Sequence, residues 1–371
     1  MTVIVSGHFI YTGRVGGAEH MTYNLVQGMD AAGAETVFMC GSRANLASEF
    51  VHESAATCRR IIECGGSGSR FLAEQIACLD YRIRGNSILF PNYYVPPVVP
   101  SRLGHVAVVI HDFQYRHYPE FFSAKKRAWL RLAHAWAFAR ADTVILISDF
   151  VRQDAIRLYG SRAANSVVIP NPVSWVRFGN IRGKHPFEGR PYILSVAAHY
   201  PHKRLNVLIK AFALLSAKRP DLLLVLTGQL SINLVGGRVG LGQVQLLQLI
   251  KTLGISERVK VMGYIEARTL GDIYHHAAAF AFPSVFEGFG IPAVEALGFG
   301  IPTLASHCTA IPEVTLGLAS YVKDAGDVNE WADRLGMMIE APRLSAKAIE
   351  SIRQKYDPPT IAKKYLATVA K

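Results

Sequence analysis

The stretch FPSVFEGFGIPAVEALGFGIP, residues 282–302, combines two carboxylates with glycines, prolines and apolar side chains. It overlaps an apolar run, AFAFPSV at 279–285, which has the length and composition of a buried strand. Gly288, Gly290 and Pro292 exclude one continuous helix across the stretch. Proline favours the first turn of a helix, so we predict that a helix begins near Pro292.

The two carboxylates, Glu287 and Glu295, are expected to project at the carboxyl end of that strand. Glu287 would lie on the loop that leaves the strand, and Glu295 in or next to the first helical turn. A helix N-terminus with nearby glycines binds anions such as a pyrophosphate. Because a carboxylate repels phosphate, we interpret both acids as acceptors of hydrogen bonds from hydroxyl groups, such as those of a ribose. The alternative is an exposed loop acid and a residue that compensates the helix dipole.

The rest of the chain repeats this alternation of strand and helix. Short β-branched runs between residues 3 and 170 are separated by helical segments, and a second βα series extends from 192 to 324. Between them, residues 171–191 contain proline, glycine and charge without periodicity, which is typical of an interdomain linker. We therefore predict an α/β protein of two doubly wound Rossmann-like domains that face each other across a cleft.

The predicted boundaries follow from these shifts in pattern. Residues 1–175 form the N-terminal domain and residues 176–356 the C-terminal domain. Residues 357–371 begin at a proline pair and are expected to form a terminal helix that packs back on the N-terminal domain.

Composition limits the partners and the location. The formal charge of the 371 residues is +12, which favours an anionic partner. The charge is spread along the chain, whereas nucleic-acid proteins concentrate it, so no nucleic-acid partner is expected. No apolar run approaches the ~20 residues of a membrane-spanning helix, and the N-terminus lacks the basic region of a signal peptide. A cytoplasmic location is the expectation. The cysteines show no C-x-x-C pair and predict no zinc site.

The densest basic cluster lies in SAKKRAWLRLAHAWAFAR, residues 123–140. Its basic side chains flank an apolar helical face, as in helices that lie on anionic lipid. The alternative is a core-packed helix with a solvated basic face. Peripheral contact with the inner face of the plasma membrane is therefore one expectation.

The segment FPSVFEGFGIPAVEALGFGIPTLAS, residues 282–306, resembles the E-x(7)-E signature of the retaining GT-B glycosyltransferases of group 1, glycosyltransferase family 4. Further segments resemble motifs of that family: GGAEH at 16–20, HDF at 111–113, ISDFVRQD at 147–154, IPNPV at 169–173, SVAAHYPHKRLNVLIKAF at 195–212 and IPEV at 311–314. The resemblance covers nearly the whole chain. The YPHK form is similar to members that use GDP-mannose or a related activated deoxysugar.

This resemblance implies an enzyme that moves a hexose from a nucleoside-diphosphate sugar with retention of configuration. It implies mannose from GDP-mannose as the donor, with no bound metal and no other cofactor. The expected acceptor is a glycan or a polyprenyl-diphosphate-linked oligosaccharide in lipopolysaccharide or exopolysaccharide biosynthesis. No D-x-D pair, the usual metal-bridging motif, occurs in the sequence.

The resemblance also assigns roles to residues. The implied catalytic residues are His111 over the reacting sugar, Glu287 against the donor sugar and Lys203 on the diphosphate. Glu295 would hold the ribose hydroxyls. The remaining implied donor-binding residues are Gly16, Gly17, Arg204, Tyr264, Ile265, Gly288, Phe289, Gly290 and Ile291. The residues expected on the acceptor or membrane side are Asp112, Lys125, Arg127 and Arg131.

One position departs from the family pattern. Ala197 and Ala198 stand where many relatives carry Gly-Arg, so one expected phosphate cation is absent, and Arg204 is a candidate replacement. Four alternatives stay open. They are another donor such as dTDP-rhamnose or UDP-glucose, a phosphorylase or synthase of the same fold, an NAD-dependent oxidoreductase, and a catalytically silent subunit that binds a sugar nucleotide.

Overall fold

The computed structural model of the protein describes residues 2–10, 16–41, 60–64, 69–99, 103–179, 183–228 and 243–369. Contacts between residues divide the chain into two compact units. The first unit contains Met1–Pro119, Ser123–Ser174 and Lys355–Lys371, and the second contains Glu120–Phe122 and Trp175–Gln354. The predicted boundaries lie at 175/176 and 356/357.

The first unit contains a parallel sheet with strand order β3-β2-β1-β4-β5-β6-β7. Its strands are β1 (Thr2–Ser6), β2 (Glu35–Cys40), β3 (Arg60–Glu63), β4 (Ser87–Phe90), β5 (Val106–Ile110), β6 (Thr143–Leu146) and β7 (Val167–Val168). Its helices are α1 (Gly17–Ala31), α2 (Arg70–Leu79), α3 (Gln114–His117), α4 (Ala124–Arg140), α5 (Asp149–Tyr159), α6 (Ser161–Ala164) and, from the end of the chain, α14 (Pro358–Val369).

Local chemistry explains where these elements lie. Strand β5, VAVVI, is buried along its whole length, as expected for a parallel strand with helices on both faces of the sheet. Helix α4 begins where Ser123 Oγ accepts a hydrogen bond from the amide of Lys126, and α5 begins where Ser148 Oγ accepts one from Val151. Both serines act as N-caps.

Helix α14 packs against α1 within the first unit. The two backbones are so close at Gly28 that a Cβ atom there would lie 2.3 Å from the carbonyl oxygen of Pro358. At the other end of α14, the Ser87 hydroxyl donates a hydrogen bond to the carbonyl oxygen of Val369. The last described helix is therefore part of the packing of the first unit.

The second unit contains a parallel sheet with strand order β10-β9-β8-β11-β12-β13. Its strands are β8 (Tyr192–Val196), β9 (Leu223–Thr227), β10 (Val259–Gly263), β11 (Ala279–Phe282), β12 (Thr303–Ser306) and β13 (Ser320–Val322). Its helices are α7 (Leu205–Lys218), α8 (Gln243–Thr252), α9 (Ala267–His276), α10 (Ile291–Gly298), α11 (Ile311–Val314), α12 (Val328–Glu340) and α13 (Ala346–Lys355). Short 3-10 turns cover Val176–Phe178, Pro201–Lys203 and Ser256–Arg258.

Apolar layers cover both faces of this second sheet. Ile193 of β8 belongs to a cluster with Phe212 of α7 and Trp331 of α12. The next residue, Leu194, belongs to a different cluster that includes Tyr274 of α9. Successive strand residues point to opposite faces, so the sheet is covered by helices on both sides.

The predicted α/β class with two doubly wound, Rossmann-like domains is confirmed. Each strand of the two sheets coincides with a predicted apolar run. The sequence patterns do not predict α2, α12 or α13, nor the short helices α3, α6 and α11. None of the described helices is both long and apolar enough to span a bilayer.

Candidate functional site

The strand order of the second unit creates a switch point between β8 and β11. From β8 the chain continues to β9 on one side, whereas β11 lies on the other side, with Phe280 paired to Leu194. Open α/β sheets bind ligands outside the carboxyl ends of strands at such a point. The loops that follow β8 and β11 carry Lys203 and Glu287, respectively. The structure therefore brings these two predicted residues to one edge of the sheet.

The loop after β11 ends at Gly290, whose backbone is left-handed with φ 100°. A Cβ atom at this position would lie 3.3 Å from the ring of Phe282, and a side chain would be strained by the dihedral angle itself. Helix α10 then begins at Ile291, with Pro292 in its first turn, one residue before the predicted start. The first amides of a helix have no partner inside the helix, so they point out of its N-terminus. Gly288, Phe289, Gly290 and Ile291 are all buried at this loop and helix start.

Lys203 and Glu287 form an ion pair. Nζ of Lys203 donates a hydrogen bond to Oε1 of Glu287 over 2.5 Å, and the two side chains are only 15% and 12% exposed. The ammonium also lies 5.7 Å from the centre of the Phe282 ring. A cation and a carboxylate are thus held together beside the N-terminus of α10.

Glu295 lies in the second turn of α10 and is only 2% exposed. Its Oε1 accepts a hydrogen bond from Nη2 of Arg177 over 2.6 Å, and its Oε2 accepts one from the hydroxyl of Tyr274 over 2.9 Å. Burial and the neighbouring Glu295 carboxylate raise the pKa of Tyr274 well above its usual value, so the phenol keeps the proton that it donates. Both carboxylate oxygens therefore have protein partners.

The segment between β8 and α7 carries two histidines, His199 and His202, close to Lys203 in the sequence. Burial, and to a smaller extent the charge of Lys203, lowers the pKa of His202 to about 2. Burial lowers the pKa of His199 to about 4, and neither of its ring nitrogens has a hydrogen-bond partner among the described residues. Arg204 is exposed and caps α7 with a left-handed backbone, φ 50°. Ala198, where the family pattern predicts arginine, precedes these residues.

Tyr264 and Ile265 follow β10 at the same edge of the sheet. The amide of Gly228, after β9, donates a hydrogen bond to the carbonyl oxygen of Gly263. The Tyr264 side chain is about half exposed, whereas Ile265 packs against the apolar cluster that contains Tyr274. The donor-binding residues predicted in this part of the chain therefore all follow carboxyl ends of strands in the second unit.

His111 follows β5 in the first unit. Its Nε2 donates a hydrogen bond to the carbonyl oxygen of Pro91 over 2.7 Å. Burial lowers the pKa of His111 to about 4, although this hydrogen bond opposes the shift. The imidazole is therefore neutral near pH 7, and its Nδ1 atom carries a lone pair. Asp112 accepts a hydrogen bond from the amide of Gln114 and so holds the turn into α3.

An aromatic and basic cluster that the sequence did not predict lies near the switch point of the first sheet, between β1 and β4. Arg70 at the start of α2 lies 5.3 Å from the ring of Phe9, after β1, and 5.5 Å from the ring of Tyr93, after β4. Lys126 donates a hydrogen bond to the hydroxyl of Tyr93. Tyr93 has a left-handed backbone, φ 32°, which is strained for an aromatic residue. Glu74 is buried beside Arg70, 3.4 Å from Nε, and burial raises its pKa.

The predicted basic residues of α4 lie on one helix in the first unit. Lys125 and Arg131 are exposed, and Arg127 is half-buried. The same helix exposes 68% of Leu132 and 39% of Trp136. The exposed surface of α4 therefore includes both cations and apolar side chains.

Gly16 and Gly17 form the start of α1 in the first unit. Gly16 is the N-cap, and its amide donates a hydrogen bond to Oε2 of Glu19. A Cβ atom at Gly17 would meet nothing within 4 Å. Gly17 therefore tolerates a side chain sterically, whereas a Cβ atom at Gly16 would lie 3.1 Å from Oε2 of Glu19, closer than an ordinary van der Waals contact.

Two family profiles match the sequence. The family described as "Glycosyl transferases group 1" matches residues 178–355, and "Glycosyltransferase Family 4" matches residues 15–175. The chain is a family 4, group 1 glycosyltransferase.

Several curated relatives of this glycosyltransferase have names that refer to mannose. O-antigen chain mannosyltransferase B of Escherichia coli is 27% identical over 249 residues, 64% of this chain and 61% of the relative. Mannosylfructose-phosphate synthase of Agrobacterium fabrum is 24% identical over 368 residues, 89% of this chain and 76% of the relative. The alignment to the first thus spans about three fifths of that relative's length.

Solved structures place the glycosyltransferase in the GT-B fold. The Anabaena protein Alr3699/HepE, solved in complex with UDP, superposes with a TM-score of 0.70 at 18% identity and covers 100% of this chain and 99% of its own. WaaG, a glycosyltransferase involved in lipopolysaccharide biosynthesis, gives a TM-score of 0.69 at 14% identity, with 99% of each chain covered. At these identities the likeness concerns the fold.

Several residues that contact the predicted site residues of this glycosyltransferase were not predicted from the sequence. Arg177 contacts Glu295 across 118 positions of sequence, and no spacing links the two. Tyr274 lies in an amphipathic helix, where an aromatic residue is expected to pack in the apolar core. Arg70 follows a glycine-rich run and begins a helix that was not predicted. Among the described residues, no three histidine, cysteine or acidic side chains cluster as metal ligands would.

Proposed function

We propose that this glycosyltransferase moves mannose from GDP-mannose, with retention of configuration, to a glycan or lipid-linked acceptor of cell-surface polysaccharide. The observation that carries the proposal is the pairing of Lys203 with Glu287 at the switch point, beside the N-terminus of α10. The mannose assignment is supported by relatives whose names include O-antigen mannosyltransferases of Escherichia coli and Salmonella typhimurium.

In the proposed donor complex the diphosphate lies at the N-terminus of α10, with Lys203 as its cation. The first amides of α10 and the ammonium would stabilise negative charge that develops on the leaving diphosphate. This arrangement needs no metal ion to neutralise the phosphates, so we propose metal-independent transfer. Tyr264 and Ile265 would border the nucleoside, and Arg204 would supply the cation that Ala198 lacks.

Two carboxylates would contact hydroxyl groups of the donor. Glu287 would accept hydrogen bonds from the sugar and Glu295 from the ribose. Each carboxylate oxygen has two lone pairs, so the hydrogen bonds from Arg177 and Tyr274 leave Glu295 with acceptor capacity. His111 would lie over the reacting sugar as a neutral acceptor, because its Nε2 proton is held by Pro91.

The acceptor would bind the first unit. The guanidinium of Arg70 and the ammonium of Lys126 lie near one aromatic ring, that of Tyr93. Rings bind sugar faces and cations bind phosphate, which suits an oligosaccharide on a polyprenyl diphosphate. Asp112 and the basic residues Lys125, Arg127 and Arg131 would border this side, and α4 would contact anionic lipid.

A panel of nucleotide sugars tests the donor. The protein is incubated with GDP-mannose, UDP-glucose or dTDP-rhamnose, and thermal stabilisation and transfer to a lipid-linked acceptor are measured. We expect stabilisation and transfer with GDP-mannose, and an anomeric NMR signal that keeps the donor's configuration. Full activity in EDTA is expected. Stabilisation by UDP or dTDP sugars alone would overturn the mannose assignment.

A second candidate is a uridine donor, because the HepE structure, which matches the whole chain, is a complex with UDP. The same panel separates the two donors. Binding of a sugar nucleotide without transfer to the lipid-linked acceptor would instead favour a silent binding subunit.

A further inference from the structure

The ion pair between Lys203 and Glu287 is sheltered from water. Their atoms are 2.5 Å apart, and most of each side chain is buried. An ion pair in this environment is screened less by solvent and salt than an exposed pair. Another anion that binds Lys203 must therefore compete with the attraction between Lys203 and Glu287.

The loops that carry the two charges are also joined to each other. The amide of Val285, in the loop after β11, donates a hydrogen bond to the carbonyl oxygen of His202, the neighbour of Lys203. The amide of Glu287 donates a second hydrogen bond to Oγ1 of Thr309. Because the backbone on both sides is fixed, the two charged groups face each other as a feature of the fold.

A diphosphate and Glu287 compete for the same ammonium. Lys203 has three donor protons, but a phosphate oxygen and a carboxylate that both contact Nζ would lie close together and repel each other. Binding of a diphosphate to Lys203 therefore weakens the contact with Glu287. The carboxylate then needs other hydrogen-bond donors, and sugar hydroxyls provide them.

We propose that Glu287 is an internal competitor of the diphosphate for Lys203, and that it disfavours a nucleoside diphosphate without its sugar. A nucleotide sugar compensates Glu287 with hydroxyl groups, whereas the bare nucleoside diphosphate does not. After transfer, Glu287 regains Lys203 and promotes release of the nucleoside diphosphate. The inference rests on the proposed function, because it takes a nucleoside-diphosphate sugar as the donor.

Calorimetric titration of GDP and UDP into the full chain tests the competition. We compare the wild type with Glu287→Gln, Lys203→Gln, the double variant, and Glu257→Gln, which removes an exposed acid of the same unit. The Glu287→Gln variant is expected to bind the nucleoside diphosphate about tenfold more tightly than the wild type. Lys203→Gln should bind it more weakly, and Glu257→Gln like the wild type.

The double variant separates competition from simple repulsion. If Glu287 acts through Lys203, Glu287→Gln changes the affinity little when Lys203 is already glutamine. Equal tightening in both backgrounds would mean that the carboxylate only repels phosphate, and the proposal would be overturned. Unchanged affinity in Glu287→Gln, with weakened binding in Lys203→Gln, would also overturn it while the proposed function stands.

One further result would contradict the proposed function itself. If neither GDP nor UDP binds the wild type or Glu287→Gln, and circular dichroism shows both proteins folded, the donor site is wrongly assigned. Glu287→Asp provides a second variant should the glutamine protein fail to fold. It keeps the charge but shortens the side chain by one methylene, so it too is expected to bind the nucleoside diphosphate more tightly than the wild type.

Discussion

Arg177 and Glu295 carry opposite charges in the interior of the second unit, with side chains 11% and 3% exposed. Replacing Glu295 removes the carboxylate that the largely buried guanidinium of Arg177 contacts. Glu295→Gln is therefore expected to lower the unfolding free energy of the second unit by about 3 kcal/mol, the scale found for broken buried pairs. Urea unfolding, followed for each unit separately, measures the change.

The control for this prediction removes both charges. The double variant Arg177→Met and Glu295→Met is expected to recover part of the lost stability, since apolar replacement of a buried pair is often neutral. Donor titration of the Glu295→Gln protein adds independent information. A loss of donor affinity with unchanged stability would contradict the structural role and favour ribose binding alone.

Buried histidines predict how stability depends on pH. Burial lowers the pKa of His199 to about 4 and, with a smaller effect of Lys126, that of His134 to about 3, from 6.5. Between these values and 6.5 the unfolded chain binds more protons than the folded protein, so the unfolding free energy rises with pH. Stability is fully present above 6.5 and falls as the pH drops below it, by up to about 1.4 kcal/mol per pH unit for each histidine.

Glutamine variants test this pH dependence one unit at a time. His134 lies in the first unit and His199 in the second. His134→Gln should reduce the pH dependence of the unfolding of the first unit. His199→Gln should reduce that of the second unit. Parallel profiles for variant and wild type would show that these imidazoles do not cause the loss of stability in acid.

At the scale of elements, α10 is held by a close contact with Trp175. A Cβ atom at Gly298, near the end of α10, would lie 2.2 Å from the indole ring. Gly298→Ala therefore must displace the ring, and we expect it to destabilise the second unit by about 1–3 kcal/mol, the usual scale of overpacking.

Gly336→Ala is the matched control for Gly298→Ala. It also lies in a helix of the second unit, but its added Cβ would make an ordinary contact of 3.5 Å with Leu215. This substitution should stabilise by about 0.5–1 kcal/mol, because glycine is unfavourable inside a helix. Thermal unfolding of both variants compares them directly, and equal effects would refute the packing argument.

Helix α4 yields a prediction about membranes. Replacing Leu132 and Trp136 together by serine is expected to weaken binding to phosphatidylserine vesicles about tenfold, since both apolar groups and the basic residues beside them would contact the lipid. Met337→Ser is the control, because Met337 is 67% exposed on a helix of the second unit, almost as Leu132 is. Co-sedimentation measures binding, and an unchanged affinity of the double variant would exclude α4 as the contact.

Strands were predicted better than helices, for a physical reason. A strand buried on both faces is a continuous apolar run, as VAVVI in β5 illustrates. Helix α2 buries Glu74 while Leu72, Ile76 and Leu79 are exposed, so its amphipathic pattern does not identify the packed face. Helices α12 and α13 follow the last strand of the second unit, beyond the alternation of strand and helix from which α7, α8, α9 and α10 were predicted.

At the scale of the whole molecule, the sequence predicted the candidate site only in part. The positions of Glu287 and Lys203 follow from motifs on strand ends, and parallel strands bring such ends to one edge. The partners Arg177 and Tyr274 come from a linker and a neighbouring helix, and only tertiary packing brings them to Glu295. The cluster around Arg70 likewise depends on the order of β1 and β4 in the sheet.

Substitution of Gly28 is expected to destabilise the first unit and to leave the second unit unchanged. A Cβ atom added at Gly28 would lie 2.3 Å from the backbone oxygen of Pro358 in α14. Gly28→Ala must therefore push α1 and α14 apart. The unfolding transition of the first unit should lose about 1–3 kcal/mol, while that of the second unit is unchanged. Differential scanning calorimetry resolves the two, and a shift of both transitions would contradict the assignment of α14 to the first unit.

The contact between α1 and α14 also affects the order in which the two units fold during synthesis on the ribosome. The surface of α1 that carries Gly28 is made early, but the helix that covers it is translated only after the entire second unit. Domains generally fold in the order in which they emerge. Here the nascent second unit has all its segments available while the first still lacks one, so the second unit can finish folding first.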